Sequence, residues 1–473
     1  MNKHLKQTLS ILCAGVMLFA IGACAENQTV NAYDIAVKNG FEGTEDAWLE
    51  SLKGKDGKDG ESLNVNEIYQ ALKAQGYEGD FTDFLKEYLS VEYNENNDLE
   101  TIAKNTTSIV AICCGFYTTT SSSGGWFTDP VDVPSASAGT GVILDIYKTT
   151  GDATIVTNYH VVYSYGSSGD RSISQNIYVY PYGARMMFYK GDKDSNGDGK
   201  VDKADQGDIG GDGIQATFIG GAMDYDIALL KVRGSEYLKN SVATSAVIGN
   251  SEEVSVGEKV YAIGNSNGGG ISVSNGVLSI DSKSISLTAP DKEGEITYRV
   301  MQTTAAINHG NSGGGLFNTK GELIGITNAK SVEEDTDNMG YALPISQVEK
   351  VVDNIIENGG VVKRPLLGIM NTISQSYAQY DANGKLRIIE EITVSDVSSG
   401  EPASGILWTG DVIKAIAING VKTVVTRRHQ LNDILLTARV GDTVTLTIDR
   451  AKDGSKDKEV SITLKAEDFD VFA

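Results

Sequence analysis

The stretch that decides the fold is Gly310-Asn311-Ser312-Gly313-Gly314, followed by Leu316-Phe317-Asn318-Thr319-Lys320-Gly321-Glu322-Leu323-Ile324-Gly325-Ile326. A serine between glycines allows a tight turn that exposes its Oγ and directs successive N–H groups toward one point. We predict that the amides of Gly310 and Ser312 form an oxyanion hole at that point. The residues that follow are typical of a strand, a turn and a second strand.

The serine motif also fits the G-x-S-x-G elbow of α/β-hydrolases, in which a strand runs directly into a helix. Here a strand is predicted after the serine, and not a helix. The elbow enzymes also carry their acid and then their histidine after the serine, whereas only His429 follows Ser312. Both observations argue against the α/β-hydrolase fold.

Two further motifs complete a candidate catalytic set. His160 lies in Thr157-Asn-Tyr-His-Val-Val, after a β-branched run, and Asp226 directly precedes the predicted strand Ile227-Ala-Leu-Leu. The chain order His160, Asp226, Ser312 is the order of the chymotrypsin arrangement. In that arrangement the histidine removes the serine proton, while a buried aspartate fixes the histidine tautomer. We therefore predict that Ser312 is the nucleophile and His160 its base.

Short β-rich runs separated by Gly, Ser and Asp clusters extend from about residue 100 to residue 326, which predicts an all-β domain of about 250 residues, large enough for two barrels. Cys113 and Cys114 fall in its first strand, where alternation predicts one side chain inward and one outward. A helix with Val348, Val351, Val352, Ile355 and Ile356 on its apolar face follows. We predict that Ser346 and Glu349 form its capping box and that Gly359-Gly360 ends it.

These motifs together resemble the HtrA/Deg family of trypsin-like serine proteases over roughly residues 104–470. The resemblance rests on Ala138-Gly-Thr-Gly-Val-Ile-Leu, Thr157-Asn-Tyr-His-Val-Val, Asp226-Ile-Ala-Leu-Leu-Lys-Val, Gln302-Thr-Thr-Ala-Ala-Ile-Asn-His-Gly-Asn-Ser and Gly340-Tyr-Ala-Leu-Pro-Ile. It implies a mainly β fold, with two six-stranded barrels and a C-terminal PDZ-like domain. It also implies endopeptidase activity without ATP or a catalytic cofactor, and assembly as a homotrimer or a higher oligomer.

The PDZ-like unit implies a second binding site. Leu367-Gly368-Ile369 fits the family's carboxylate-binding loop, so we predict that free C-termini bind there by strand addition. A purely packing role for this domain is the alternative.

The specificity pocket is predicted from the residue six positions before the serine. That residue is Ala306, which carries no charge to pair with Arg or Lys. We therefore expect cleavage after apolar residues of small or medium size. The sequence departs from the family at Thr304, His309 and Gly315, where Asp, Pro and Pro are usual, and none of these removes a triad member.

An acidic stretch between His160 and Asp226 predicts a calcium loop. Oxygen donors lie at alternating positions in Asp194, Asn196 and Asp198, the Lys200 carbonyl comes next, and Asp205 closes the loop at position 12. This spacing matches an EF-hand-type loop, with Asp in place of the usual Glu at the last position. The alternative is a solvated acidic loop.

The N-terminus predicts export. Two lysines, an apolar run over residues 9–20 and small residues before Cys24 are typical of a secretory signal. They resemble the lipobox of bacterial lipoproteins, which implies that Cys24 is lipidated and tethers the chain to the outer face of a bacterial membrane. An ordinary cleaved signal with an incidental cysteine is the alternative. A transmembrane anchor is disfavoured because the run is too short.

Length and charge set the overall organisation. The chain has 473 residues, enough for about three domains, and its 40 basic against 63 acidic residues leave a net charge of −23, which argues against nucleic acid as a partner. The predicted segments are a signal at 1–23, a helical repeat and linker region at 24–100, a protease domain at 101–362 with an insertion at 190–213, and a PDZ-like domain at 363–473.

The sequence therefore predicts an exported serine endopeptidase that degrades unfolded or damaged exported proteins. Two alternatives remain at this point. One is a surface holdase that captures chain ends through its PDZ-like domain with little proteolysis, and the other is a calcium-dependent adhesin.

Overall fold

A computed structural model describes residues 98–120, 131–165, 171–328 and 339–472, together with Lys73. The predicted signal, Cys24 and nearly all of the predicted helical repeat region lie outside the described residues. The chain divides into two compact units, 1–96 and 97–473, and the second contains every strand of the described residues. None of the helices described is both long enough and apolar enough to cross a bilayer.

The first barrel is built from the predicted β-rich runs after residue 108. The strands of this region are β1 Ile109–Thr120, β2 Val131–Tyr147, β3 Asp152–Thr157, β4 Tyr163–Tyr165, β5 Arg171–Ile173, β6 Asn176–Pro181, β7 Phe188–Tyr189, β8 Gly207–Asp208, β9 Ile214–Ala222 and β10 Ile227–Val232. Six of them close in the order β1, β2, β3, β10, β9, β6. Alternating side chains such as Ile112, Ile143 and Ile155 are fully buried inside, which accounts for the β-branched periodicity of the sequence.

The two adjacent cysteines of β1 point to opposite faces of the strand, as predicted, but both are buried. Cys114 points into the barrel core, as alternation allows, but Cys113 on the opposite face is also buried. It is covered by Tyr180 and by side chains that follow β6, including Met186 and Phe188. Burial raises the pKa of Cys113 to about 11, so this thiol stays protonated and unreactive near neutral pH.

The second barrel contains the decisive serine stretch. Its strands are β11 Val247–Ile248, β12 Lys259–Gly264, β13 Ser272–Thr288, β14 Glu295–Thr303, β15 Gly315–Asn318, β16 Glu322–Asn328 and β17 Gly340–Pro344. Six strands close in the order β15, β12, β13, β14, β17, β16, and β11 adds to β16 in parallel. The predicted strand, turn and strand after Ser312 are β15 and β16, which excludes the α/β-hydrolase elbow.

Among the described residues, four α-helices accompany the barrels: α1 Asp98–Thr106, α2 Tyr159–Val162, α3 Glu236–Asn240 and α4 Ile345–Glu357. Helix α4 buries Val348, Val351, Val352 and Ile355 in a core shared with strands of both barrels, but the predicted Ile356 is 58% exposed. The predicted capping box is also wrong, because Pro344 is the N-cap residue and no side chain caps it. The Ser346 hydroxyl instead bonds Glu252 and Ser251. The predicted glycine end is confirmed, since Gly359 has φ +69°.

The remaining elements are β18 Val362–Pro365, β19 Ile369–Tyr380, β20 Leu386–Val397, β21 Val412–Ile418, β22 Val421–Val424, α5 Arg428–Leu435, β23 Thr443–Asp449, β24 Lys458–Thr463 and β25 Phe469–Phe472. One antiparallel sheet runs β19, β20, β21, β23, β24, with β22 paired to β21. Strand β19 lies at its edge. Strands β18 and β25 form a separate antiparallel pair. The fold is therefore mainly β, as predicted.

Candidate active site

His160 and Asp226 are brought together by the first barrel. His160 lies in the short helix α2 just after β3, and Asp226 lies just before β10, which pairs with β3. His160 Nδ1 is 2.8 Å from Asp226 Oδ2 and 3.0 Å from Oδ1, and the His160 backbone N–H also donates to Oδ1 at 3.0 Å. The Asp226 residue is 1% exposed. A buried carboxylate beside Nδ1 requires the proton on Nδ1, which leaves Nε2 free to accept another proton.

Two asparagines that the sequence analysis missed also hold Asp226. Asn328, at the end of β16 in the second barrel, donates through Nδ2 to Asp226 Oδ2 at 2.8 Å. Asn158 Nδ2 donates to the Asp226 carbonyl at 3.0 Å. The carboxylate therefore has donors from both barrels, which satisfies a buried charge. Asn158 lies within the quoted histidine motif, but nothing in the sequence pairs Asn328 with Asp226.

The Ser312 turn is attached to the strands that precede His160. The Thr140 backbone N–H donates to the Ser312 carbonyl at 2.8 Å, and its Oγ1 donates to the Gly310 carbonyl at 2.6 Å. Thr157 Oγ1 in turn donates to the Thr140 carbonyl at 2.7 Å. Thr140 and Thr157 are both fully buried. These threonines connect the serine turn of the second barrel with β3 of the first barrel, the strand that precedes His160.

The glycines around Ser312 are required by contact and by backbone conformation. Gly313 has φ +83°, and a Cβ there would lie 2.1 Å from the Thr140 carbonyl oxygen. Gly310 has φ +88°, and a Cβ there would lie 2.3 Å from the Asn265 carbonyl oxygen. Ser312 itself is 6% exposed. This conformation is the tight turn that the sequence predicts for an oxyanion loop.

The residues predicted for specificity lie just before this turn. Ala306 is exposed, and its carbonyl accepts a hydrogen bond from Ser274 Oγ at 2.7 Å. His309 is also exposed, while its carbonyl accepts from the Asn267 N–H at 2.7 Å. The assignment of Ala306 to the specificity pocket stays a prediction.

The predicted carboxylate-binding loop lies beside a groove. Leu367, Gly368 and Ile369 line a cavity of about 180 Å³ together with Leu431 and Leu435 of α5. The adjacent strand β19 pairs only with β20 among the described strands, so its other edge is available for strand addition. The Gly368 backbone has φ +70°. This geometry suits an extended peptide with an apolar terminal residue.

The predicted calcium loop is an exposed turn closed by one buried carboxylate. Asp194 accepts from the N–H groups of Gly197 at 2.6 Å and Gly199 at 2.9 Å. Asp205 is 1% exposed and accepts from the N–H groups of Asp202 at 2.9 Å and Ser195 at 2.7 Å. These donors hold the pKa of Asp205 below its usual value. The loop therefore keeps an ionised carboxylate at position 12.

A different carboxylate and histidine cluster lies outside the predicted sites. Among the described His, Cys, Asp and Glu side chains, one group brings its donor atoms within 4.8 Å of one another: Glu252, His429 and Asp433. Arg299 donates to both of these carboxylates. Because Arg299 already occupies an oxygen atom of each carboxylate, the cluster is better suited to an ion-pair network than to a metal ion.

Two family models and several known proteins match this chain. A family model described as the trypsin-like peptidase domain matches residues 139–326, and a PDZ domain model matches residues 365–464. The chain is 31% identical over 340 residues to the serine protease Do-like HtrA of Lactococcus lactis subsp. lactis (strain IL1403), covering 69% of this chain and 71% of that protein. It is 28% identical over 329 residues to the serine protease Do-like HtrA of Bacillus subtilis (strain 168), covering 68% and 62%.

Proposed function

Because the chain belongs to the Do-like HtrA family of serine proteases, we propose that it cuts unfolded or damaged exported proteins with His160, Asp226 and Ser312 as its catalytic triad. It is a serine endopeptidase with a trypsin-like peptidase domain and a PDZ domain, and catalysis in this family needs no cofactor. The observation that carries the triad is the contact between the buried Asp226 carboxylate and His160 Nδ1 at 2.8 Å.

The chemical steps follow from this contact. His160 Nε2 takes the Ser312 Oγ proton as the oxygen attacks the substrate carbonyl, and Asp226 stabilises the imidazolium that forms. The N–H groups of Gly310 and Ser312 stabilise the tetrahedral oxyanion. His160 then protonates the leaving amine, which yields an acyl-enzyme on Ser312. Water attacks that ester with His160 as base, and the second product leaves.

The direct test is degradation of β-casein by the wild type and by Ser312→Ala. The variant is expected to lose turnover by several orders of magnitude, because triad members act as a unit. Mass spectrometry of the fragments should show cuts mainly after apolar residues, since Ala306 offers no countercharge to a basic side chain. A Ser312→Ala protein that cuts at the wild-type rate would refute the mechanism, and fragments ending mainly in Arg or Lys would refute the pocket assignment.

We further propose that the protein is exported and tethered by a lipid on Cys24, on the strength of the signal-like residues that precede it. Metabolic labelling with a clickable palmitate analogue tests this, because Cys24→Ala should abolish the label. The proposed assembly is a homotrimer, and analytical ultracentrifugation of the lipid-free chain measures its mass directly.

We also propose that the groove beside Leu367-Gly368-Ile369 binds the C-terminal ends of substrate chains. A separate proposal is that the insertion at 190–213 binds calcium. The apolar cavity beside Leu367-Gly368-Ile369 supports the first proposal. The second rests on the oxygen donors of Asp194, Asn196, Asp198 and Asp205, with the Lys200 carbonyl between them. Calcium bound there would act on stability rather than on the chemical step. Gln206, next to Asp205, donates to carbonyls of Phe116 and Lys190 and so connects the loop to the first barrel.

A further inference from the structure

The turn that presents Asp226 has a backbone conformation that needs outside support. Asp226 has φ +51° and ψ +41°, in the left-handed region, which residues other than glycine adopt uncommonly, although aspartate does so more often than most. It closes a 3₁₀ turn at Met223–Tyr225, with its N–H donating to the Met223 carbonyl at 3.0 Å. Strained conformations of this kind persist only where surrounding contacts determine them. Contacts from two other parts of the chain provide that support here.

One contact comes from the second barrel. The Tyr298 hydroxyl donates to the Met223 carbonyl at 3.2 Å, and Tyr298 is 2% exposed. This bond fixes the start of the turn. It does not reach Tyr225, the residue directly before Asp226.

Tyr225 is held by the strand pair β18 and β25, which belongs to neither barrel. Arg364 Nη1 donates to the Tyr225 hydroxyl at 2.8 Å. The Phe472 ring meets the Tyr225 ring edge-on, with centroids 5.9 Å apart, and the Arg364 guanidinium lies 5.0 Å from the Phe472 centroid. Burial raises the pKa of Tyr225 to about 12, so the phenol stays neutral and accepts this bond. The three side chains form one group of mutual contacts at the turn that precedes Asp226.

The strand pair is itself fixed to the rest of the molecule. The fully buried Asn354 side chain of α4 donates to the Lys363 carbonyl at 2.8 Å and accepts from the Lys363 N–H at 2.7 Å. The same amide donates to the Leu436 carbonyl at 2.8 Å, just after α5. The Gly221 N–H of β9 donates to the Gly360 carbonyl at 3.0 Å. These bonds hold β18 in place, and Arg364 of this strand contacts Tyr225 in the turn before Asp226.

We propose that Arg364 and Phe472 are positioning residues for catalysis, acting through Tyr225 to hold Asp226 in line with His160. We call residues 362–365 and 469–472 the β18–β25 brace. The inference rests on the proposed triad. It assigns to a segment outside the peptidase barrels a role in orienting the catalytic acid. Arg364 also lines the peptide groove at Leu367-Gly368-Ile369, so a ligand there lies close to the brace.

The test measures the His160–Asp226 contact directly and then the reactivity of Ser312. One-dimensional proton NMR reports the low-field Nδ1–H resonance of His160. A fluorophosphonate, which is too small to need the PDZ groove, reports the second-order labelling rate of Ser312. The variants are Arg364→Ala, Arg364→Lys and Tyr225→Phe in the full chain. The matched control is Lys363→Ala, because this neighbouring cation is exposed and has only backbone contacts to Asn354.

Arg364→Ala and Tyr225→Phe are expected to weaken or shift the low-field resonance and to slow labelling about fivefold, as for the loss of one hydrogen bond. Arg364→Lys should restore part of both signals, since an ammonium can still donate to Tyr225. Lys363→Ala should match the wild type. If Arg364→Ala does not fold, Tyr225→Phe decides, because it removes only one oxygen atom.

Unchanged resonance and labelling in Tyr225→Phe would overturn the inference, as would equal losses in Lys363→Ala. A wild type that the fluorophosphonate does not label, or a Ser312→Ala protein that it still labels, would instead refute the proposed function. The resonance separates the two failures, because it depends on His160 and Asp226 and not on Ser312.

Discussion

At the scale of single residues, Gly313 shows how closely the two barrels meet at the serine turn. Gly313 has φ +83°, and a Cβ added at this position would lie only 2.1 Å from the Thr140 carbonyl oxygen. Both facts require glycine here. Gly313→Ala is expected to destabilise the protein by roughly 3 kcal/mol and to remove activity, because backbone strain and overpacking add. Chemical denaturation and casein cleavage measure the two effects.

Gly384 is the matched control for this substitution. It has φ +76°, but a Cβ there would meet nothing within 4 Å. Gly384→Ala should therefore show only the backbone strain, about 1 kcal/mol, with activity retained. Equal losses in both variants would mean that contact with Thr140 plays no part.

At the scale of elements, the insertion between β6 and β9 is a testable calcium module. If calcium binds only the folded loop, ten times its dissociation constant adds about 1.4 kcal/mol of stability by mass action. The melting temperature should then rise by about 3 °C in several millimolar calcium relative to EDTA. Calorimetry measures this shift. Asp194→Ala and Asp198→Ala should abolish this shift, and magnesium should replace calcium poorly. If the wild-type melting curves in calcium and in EDTA superimpose, the loop is a solvated acidic loop that does not bind calcium.

The free edge of β19 and the loop before it form the second element with a clear test. A peptide added to that edge would place its terminal carboxylate at the amides of Leu367-Gly368-Ile369. Amidation of a bound peptide removes the charge, so its affinity is expected to fall about tenfold, as for one charge-assisted hydrogen bond. Fluorescence anisotropy with paired free and amidated peptides measures the ratio. Equal affinities would show that the carboxylate is not recognised.

At the scale of the whole molecule, an ion-pair network attaches α5 to the second barrel. Glu252 accepts from Arg299 Nη2 at 2.6 Å and lies 3.2 Å from His429 Nε2, while Arg299 also pairs with Asp433. Burial by itself would raise the pKa of Glu252, but the hydrogen bonds and charges of His429 and Arg299 outweigh it and hold the pKa well below its usual value. The network therefore favours the ionised carboxylate in the folded state.

This pKa shift predicts how stability depends on pH. A lowered folded-state pKa contributes stability above the unfolded value of about 4.3, and that stability is lost as the pH falls toward the folded value. Glu252→Gln should therefore cost about 2 kcal/mol at pH 7, as for the loss of a hydrogen bond to a charged group, and the difference from the wild type should shrink at pH 3. Urea unfolding at both pH values measures it. The exposed neighbour Glu253→Gln is the control, and a constant difference at both pH values would contradict the assignment.

The sequence by itself determined the features that local order encodes. Alternating β-branched residues predicted the strands, glycines around Ser312 predicted the tight turn, and the order His160, Asp226, Ser312 pointed to the trypsin-like fold. The strands and the turn could be predicted because each depends on residues that are close together in the chain, either on their alternation along a strand or on their positions in one turn. The prediction of the Ser346 capping box was wrong because the partner of this hydroxyl lies far away in the chain. Ser346 Oγ donates to Glu252 instead of capping the start of α4.

Only the tertiary structure decided the contacts between residues far apart in the chain. Asn328 reaches Asp226 across 102 positions, and Arg364 reaches Tyr225 across 139. Cys113 is buried because Tyr180 and the residues that follow β6, including Met186 and Phe188, cover the outer face of the barrel. No local periodicity encodes such pairs, because they depend on how the closed barrels and the β18–β25 brace meet in space. The sequence therefore determined which elements form, and packing determined which side chains hold the proposed catalytic acid in place.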